Sequence, residues 1–177
     1  LKPNHAPDWC VDRERLWNEV EKIEKAKNAQ LAREFTVALP IELSNLQQKE
    51  LLKHFVQEVF VDEGMVADIA IHRDDENNPH AHVMLTMRPF LEDGSWGAKS
   101  RKEYILDEDG ESLYTASGAK KSRKIDMKDW NKREKIQVWR QAWALYANQH
   151  LALAGVAVEI TEKSHAALDL EREPTIH

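Results

Sequence analysis

Cysteine is almost absent from this chain. Cys10 stands alone, so no internal disulfide can form, and the composition suits a reducing, cytoplasmic compartment. Long hydrophobic runs are missing as well. No apolar stretch approaches the length of a membrane span, and the opening Leu1-Lys2-Pro3-Asn4-His5 lacks the layout of a signal peptide, so no membrane association is expected. There is no internal repeat and no low-complexity tract. A net charge of −6 argues against a general coat for nucleic acid. The first residue is leucine rather than methionine, from which a missing upstream segment or processing is expected.

What is present describes a folded globule. The 177 residues are 42% apolar and include six tryptophans, enough for one domain with its own core. Positive charge is local rather than general. Between Lys120 and Lys135 stand eight basic and three acidic residues. Such a run is either a solvated loop and helix face or a footprint for phosphates, since local charge governs that contact.

Periodicity divides the chain. Residues 12–30 read as a helix carrying Leu16, Val20 and Ile23 on one face. The pattern then changes to a period of two. Phe35, Val37 and Leu39 point one way, Glu34, Thr36 and Ala38 the other, and Pro40 ends the strand. Ser44 and Gln47 form a capping-box signature for a helix over 45–62, with Gly64 as its left-handed terminator. Two alternating strands follow, over 65–72 and 80–88, with Ala81, Val83, Leu85 and Met87 assigned to the core side. Beyond Pro89 a loop-rich insertion is expected over about 90–126, with short ribbon pieces such as 102–106. A helix over 127–149 carries Trp130, Trp139, Trp143 and Tyr146, and a short strand is expected over 156–160 before a polar tail. Helices and strands mix without a βαβ rhythm. That predicts an α+β fold, a central antiparallel sheet with helices packed on it, in one domain spanning 1–177.

Three histidines carry the chemistry. His72 closes one strand, and His80 and His82 open the next on the same face, so antiparallel pairing brings the three imidazoles together. Three neutral nitrogens leave positions open for water or substrate, and a divalent ion there would polarise a phosphoryl oxygen. A His-x-His pair by itself also reads as two surface histidines. Glu34 shares the polar register of Thr36 and is a candidate to hold a ligand imidazole or to act as a base; an exposed strand carboxylate is the plainer reading. Arg88 is placed with His80 and His82, either to meet a phosphate or to form a surface ion pair.

Several segments carry a resemblance. Ala6-Pro7-Asp8-Trp9, Asp12-Arg13-Glu14-x-Leu16-Trp17-Asn18, Gln30-Leu31-Ala32-Arg33-Glu34, Phe60-Val61-Asp62-x-Gly64-Met65-Val66-Ala67-Asp68 and Asn78-Pro79-His80-Ala81-His82-Val83-Met84-Leu85-Thr86-Met87-Arg88 resemble the MobA/MobL plasmid mobilisation relaxases. The likeness resumes over 127–155 and in Glu173-Pro174-Thr175-Ile176-His177, while Thr161-Glu162-Lys163-Ser164 departs from the Asp-His-Arg-Ser often found there.

The resemblance implies an HUH-type endonuclease that nicks single-stranded DNA at a transfer origin and stays joined to the 5′ phosphate through a tyrosine. It assigns His72, His80 and His82 to a divalent metal (Mn2+, Mg2+, Zn2+ or Ni2+) and Glu34 to the supporting acid. It implies helices on one face of the sheet and DNA on the other, with Arg88, Lys120, Lys121, Arg123 and Lys124 along the strand's path. Accessory transfer proteins and the upstream segment itself are the further partners. The nucleophilic tyrosine is expected before Leu1 with the first strand, because Tyr104, Tyr114 and Tyr146 all lack the Tyr-Arg-x-Gly-like context. This fragment alone is therefore expected to be inactive. A rolling-circle replication initiator and a non-catalytic domain binding metal or single-stranded DNA are the alternatives.

Overall fold

The computed structural model describes residues 1–164 and 166–168. The resembling segment 173–177 lies outside the described residues. Three helices, α1 (Arg13–Ile23), α2 (Asn45–Val56) and α3 (Arg133–Leu153), accompany five strands. These are β1 (Ala32–Ala38), β2 (Ala67–His72), β3 (His80–Thr86), β4 (Ser100–Tyr104) and β5 (Ser122–Asp126). The main sheet runs β1-β3-β2 with both pairings antiparallel, and β4 and β5 form a separate ribbon. The fold is α+β, as the mixed periodicity predicts.

Alternation decides the two faces of the main sheet. Val37, Ala67, Ala81, Val83 and Leu85 bury their side chains on one face, with Phe35, Ile69 and Ile71 partly covered beside them. Onto that face pack Leu52, Phe55 and Val56 of α2, Phe60 and Val61 beyond it, and Trp139, Trp143 and Tyr146 of α3. The other face carries Glu34, Thr36, Asp68, Ala70, His72, His80, His82 and Met84 by register. Leu1 lies along the outer edge of β2, exchanging backbone hydrogen bonds of 2.8 and 2.9 Å with Ala67.

Local chemistry sets most boundaries. The Asp12 carboxylate accepts from the Arg15 amide (3.1 Å) and starts α1, which buries Leu16 and Val20. The helix ends at Ile23 rather than 30. Lys25 to Gln30 offer no periodic apolar side chain to bury, and Glu24 leaves helical geometry at ψ 72°. Ser44 and Gln47 make the capping box in both directions. Past Val56 the helix continues as a wider π turn, Gln57–Val61. Gly64 then takes φ +107°, and a Cβ there would sit 3.1 Å from Pro89, so both conformation and space call for glycine.

Three expectations need correction. Thr86 has the register of the histidine face but is buried, because its hydroxyl accepts from the Val66 amide (3.0 Å) and donates to the Arg88 carbonyl (3.2 Å). Helix α3 starts at Arg133, leaving Trp130 buried in the core ahead of it. Residues 156–160 are extended but join no strand. Asn148 on α3 takes their place in the pairing, donating to the Ile160 carbonyl (2.9 Å) and accepting from its amide (2.8 Å). Within the insertion, β4 and β5 pair as a ribbon from Ser100↔Asp126 to Tyr104↔Ser122.

A second cluster, Ala6, Cys10, Leu16, Val66 and Phe90, lies under Trp9, Trp17 and Trp96. Burial pushes the Cys10 thiol up to about 11, so it packs as a small apolar group. Arg13 (2.6 and 2.9 Å) and the Trp17 indole (3.0 Å) both donate to Asp68, tying α1 to the start of β2. Among the described residues no helix is long and apolar enough to cross a membrane.

Candidate metal centre

Strand register assembles the histidines. His72 pairs directly with His80, and His82 lies opposite Ala70 on one side and Thr36 on the other. Ring centroids are 5.2 Å apart for His72–His80, 4.8 Å for His72–His82 and 5.3 Å for His80–His82. One ligand nitrogen from each ring lies within 4.8 Å of the others. One ion bound at about 2 Å holds its nitrogens roughly 3.3 Å apart, so the three rings converge on one place and have to draw together by rotamer adjustment to share an ion.

Two of the rings are already committed to one tautomer. The Asn78 carbonyl can only accept, so His80 Nδ1 carries the proton and donates to it at 2.8 Å. His82 Nδ1 likewise donates to the Glu34 carboxylate at 2.7 Å, with the Thr36 hydroxyl 3.4 Å from the same nitrogen. Each bond leaves Nε2 with its lone pair. A carbonyl or carboxylate behind a ligand histidine is the usual way to orient it and raise its basicity. Three imidazole donors therefore fit a borderline ion such as Zn2+ or Ni2+ best, accept the harder Mn2+, and suit Mg2+ least, since it prefers oxygen and its own water.

Glu34 reaches His82 diagonally. It pairs with Met84, two residues along β1 from Thr36, the residue opposite His82. Thr36 and the Asn78 carbonyl are contributors the sequence did not flag. The signal for Thr36 lay in the β1–β3 register, which does not show without the pairing, whereas the Asn78 carbonyl lies only two residues before His80.

Other candidates stand elsewhere. Strand β3 ends at Thr86, so alternation does not extend to Arg88. Its guanidinium turns instead to Glu24 (2.8 Å) and the Gly97 carbonyl (3.3 Å), correcting its placement beside the histidines. Lys99 meets the same carboxylate at 2.8 Å. Burial opposes the charge of Glu24, yet the hydrogen bonds and attraction of Arg88 and Lys99 hold its carboxyl below the ordinary range.

Lys120, Lys121, Arg123 and Lys124 are exposed on the ribbon rather than on the main sheet. Lys120 lies over the Tyr104 ring at 5.7 Å, Arg123 pairs with Glu103, and Lys124 meets Asp126 at 3.3 Å. Tyr104 and Tyr114 also belong to the ribbon region, both exposed. Tyr146 packs on the opposite face of the sheet from the histidines. Its hydroxyl donates to Glu58, which with burial pushes the phenol up to about 12.

The sheet face thus bears three imidazoles, two of them backed by a carboxylate and a carbonyl. The MobA/MobL family matches residues 1–177, and the chain belongs to it. It is 41% identical over 188 residues to "Conjugal transfer protein TraA" of Agrobacterium fabrum, covering 100% of this chain and 16% of that protein. It is 30% identical over 173 residues to "Mobilization protein A" of Escherichia coli, covering 98% of this chain and 23% of the relative. A solved structure from "Molecular Basis of Vancomycin Resistance Transfer in Staphylococcus aureus" matches with a TM-score of 0.74 and 34% identity, over 93% of this chain and 73% of the other. The chain thus spans about a sixth to a quarter of the two curated relatives described here.

Proposed function

We propose that this domain is the strand-cutting part of a relaxase, nicking and rejoining one DNA strand at a plasmid transfer origin. The observation that carries the reading is the grouping of His72, His80 and His82 on one sheet face, with Nδ1 of His80 and of His82 each held by an acceptor. The relatives, a conjugal transfer protein and a mobilization protein, support the same direction.

His72, His80 and His82 would hold a divalent ion, which supplies Lewis-acid stabilisation of charge on a scissile phosphate when bound. Glu34 and the Asn78 carbonyl keep two of the ligand rings oriented through cleavage and rejoining. Because one Glu34 oxygen is held by His82, its role is positioning rather than proton abstraction. A tyrosine on polypeptide preceding Leu1, as the family resemblance implies, is the nucleophile. The backbone of Leu1 pairs antiparallel with Ala67 on the outer edge of β2, the strand that ends in His72. The tyrosine oxygen bonds to phosphorus as the bond to the 3′ oxygen breaks. The phenol proton is lost to a base, and the leaving oxygen takes one up as a 3′ hydroxyl. Rejoining is the reverse. Exposed Lys120, Lys121 and Lys124 offer charge to flanking phosphates, with Tyr104 available for stacking.

The test is a cleavage assay with the full-length protein on an oligonucleotide spanning the transfer origin. The wild type is expected to give a covalent protein–DNA adduct in Mn2+. His80→Ala with His82→Ala is expected to give none, with an unchanged circular dichroism spectrum. Equal nicking by the double variant would overturn the proposal, and absence of any adduct from the wild type would favour a domain that binds without cutting.

A further inference from the structure

A second pair of imidazoles stands on the opposite side of the sheet, where α2 and α3 pack together. His54 Nδ1 and His150 Nε2 are 3.3 Å apart, with ring centroids at 5.6 Å and planes inclined by 61°. Two nitrogens bound to one tetrahedral zinc ion at 2.0–2.1 Å are themselves about 3.3 Å apart. At 3.3 Å the pair also makes a long hydrogen bond, His150 Nε2–H donating to the His54 Nδ1 lone pair, so an ion that bridges the two nitrogens displaces that proton. The ring spacing is also close to the 5.2 and 5.3 Å found within the histidine trio on the other face.

The surroundings resemble those of a ligand histidine. His54 Nε2 lies 2.9 Å from a Glu58 oxygen, which can only accept, so the proton sits on Nε2 and the lone pair on Nδ1 faces His150. The other Glu58 oxygen accepts from the Tyr146 hydroxyl, which fixes the carboxylate from α3. A carboxylate bonded to the far nitrogen of an imidazole is the arrangement that orients metal-binding histidines. Glu50 lies one helical turn before His54, on the same stripe of α2, and adds negative charge to that side.

We propose that His54 and His150 form a second metal site, taking a borderline divalent ion such as Zn2+ or Ni2+ and clamping α2 to α3. Solvent fills the remaining positions, so the site binds more weakly than the three-nitrogen centre. Its role is structural, because bound ion stabilises the folded form by mass action. At an ion concentration tenfold above Kd, Tm is expected to rise by about 3–6 °C.

The experiment uses untagged protein carrying His72→Ala, His80→Ala and His82→Ala, so that the outcome does not depend on the first centre. Calorimetric titration with ZnCl2 alone is expected to show one saturable equivalent, with the Tm rise above. His150→Gln, added to that background, is expected to weaken binding at least tenfold; Glu58→Ala is expected to weaken it less. Mg2+ is expected to give neither heat nor a Tm shift. His54→Gln supplies an independent variant should His150→Gln alter the circular dichroism spectrum. Absence of saturable Zn2+ binding, or Zn2+ affinity unchanged in both glutamine variants, would overturn the proposal.

Discussion

Replacing Glu34 by alanine removes the charged acceptor behind His82 without touching a metal ligand. The bond lost is 2.7 Å long and carries one full charge, so it belongs to the stronger class of hydrogen bonds. Loss of such an outer partner lowers metal affinity roughly 10- to 100-fold, equivalent to about 1.4–2.7 kcal/mol. Two features place Glu34→Ala near the lower figure. The glutamate side chain is about half exposed, at 54%, so water reaches the vacated place. The Thr36 hydroxyl is already 3.4 Å from the same nitrogen and needs only a small shift to accept from it. A loss of roughly tenfold in Mn2+ affinity is therefore expected for Glu34→Ala, and closer to a hundredfold when Thr36→Val removes the substitute as well. Glu34→Gln keeps an acceptor and should fall between wild type and alanine. Isothermal titration with Mn2+ measures all four proteins. If Glu34→Ala binds Mn2+ as tightly as wild type, or if adding Thr36→Val has no further effect, the positioning role assigned to Glu34 is wrong.

Two further outcomes follow from the scaffold. Glu24 is 5% exposed and meets both Arg88 and Lys99, so Glu24→Gln is expected to cost roughly 2 kcal/mol in urea unfolding, less than a fully buried pair because both cations retain some water. Since the folded-state carboxyl of Glu24 is depressed, its contribution is present above the ordinary carboxylate pKa and is lost as pH falls through the lower folded value. Wild type should thus lose part of its advantage over Glu24→Gln in acid, and a gap constant from pH 7 to pH 3 would contradict the assignment. Ser44→Ala removes one half of the capping box of α2 and should cost about 1 kcal/mol by the same measurement, with no change in metal affinity.

Much of this architecture was legible in sequence because it is decided locally. The capping box at Ser44 and Gln47, the left-handed Gly64 and the two-residue alternation of β1, β2 and β3 depend on neighbours a few positions apart. Alternation also placed His72, His80 and His82 on one face, and once β2 pairs antiparallel with β3 no other arrangement brings those rings out. The errors arose where a local pattern met a distant partner. Thr86 turns inward because a backbone amide from Val66 needs an acceptor, and Arg88 turns away because Glu24 is a buried charge needing cations. Residues 156–160 have the composition of a strand, but a side-chain amide on α3 satisfies Ile160 before any strand does.

The amino-acid sequence by itself therefore determined the class of fold, the membership of the histidine trio and its family likeness, since residue type, spacing and face alternation suffice for these. Tertiary structure decided which nitrogen of His82 is free, that Thr36 stands in reserve behind Glu34, and that His54 meets His150. Those depend on register between β1 and β3 and on the packing of α2 against α3. Such contacts join residues 46, 48 or 96 positions apart, and no local periodicity encodes which side chains will meet across them.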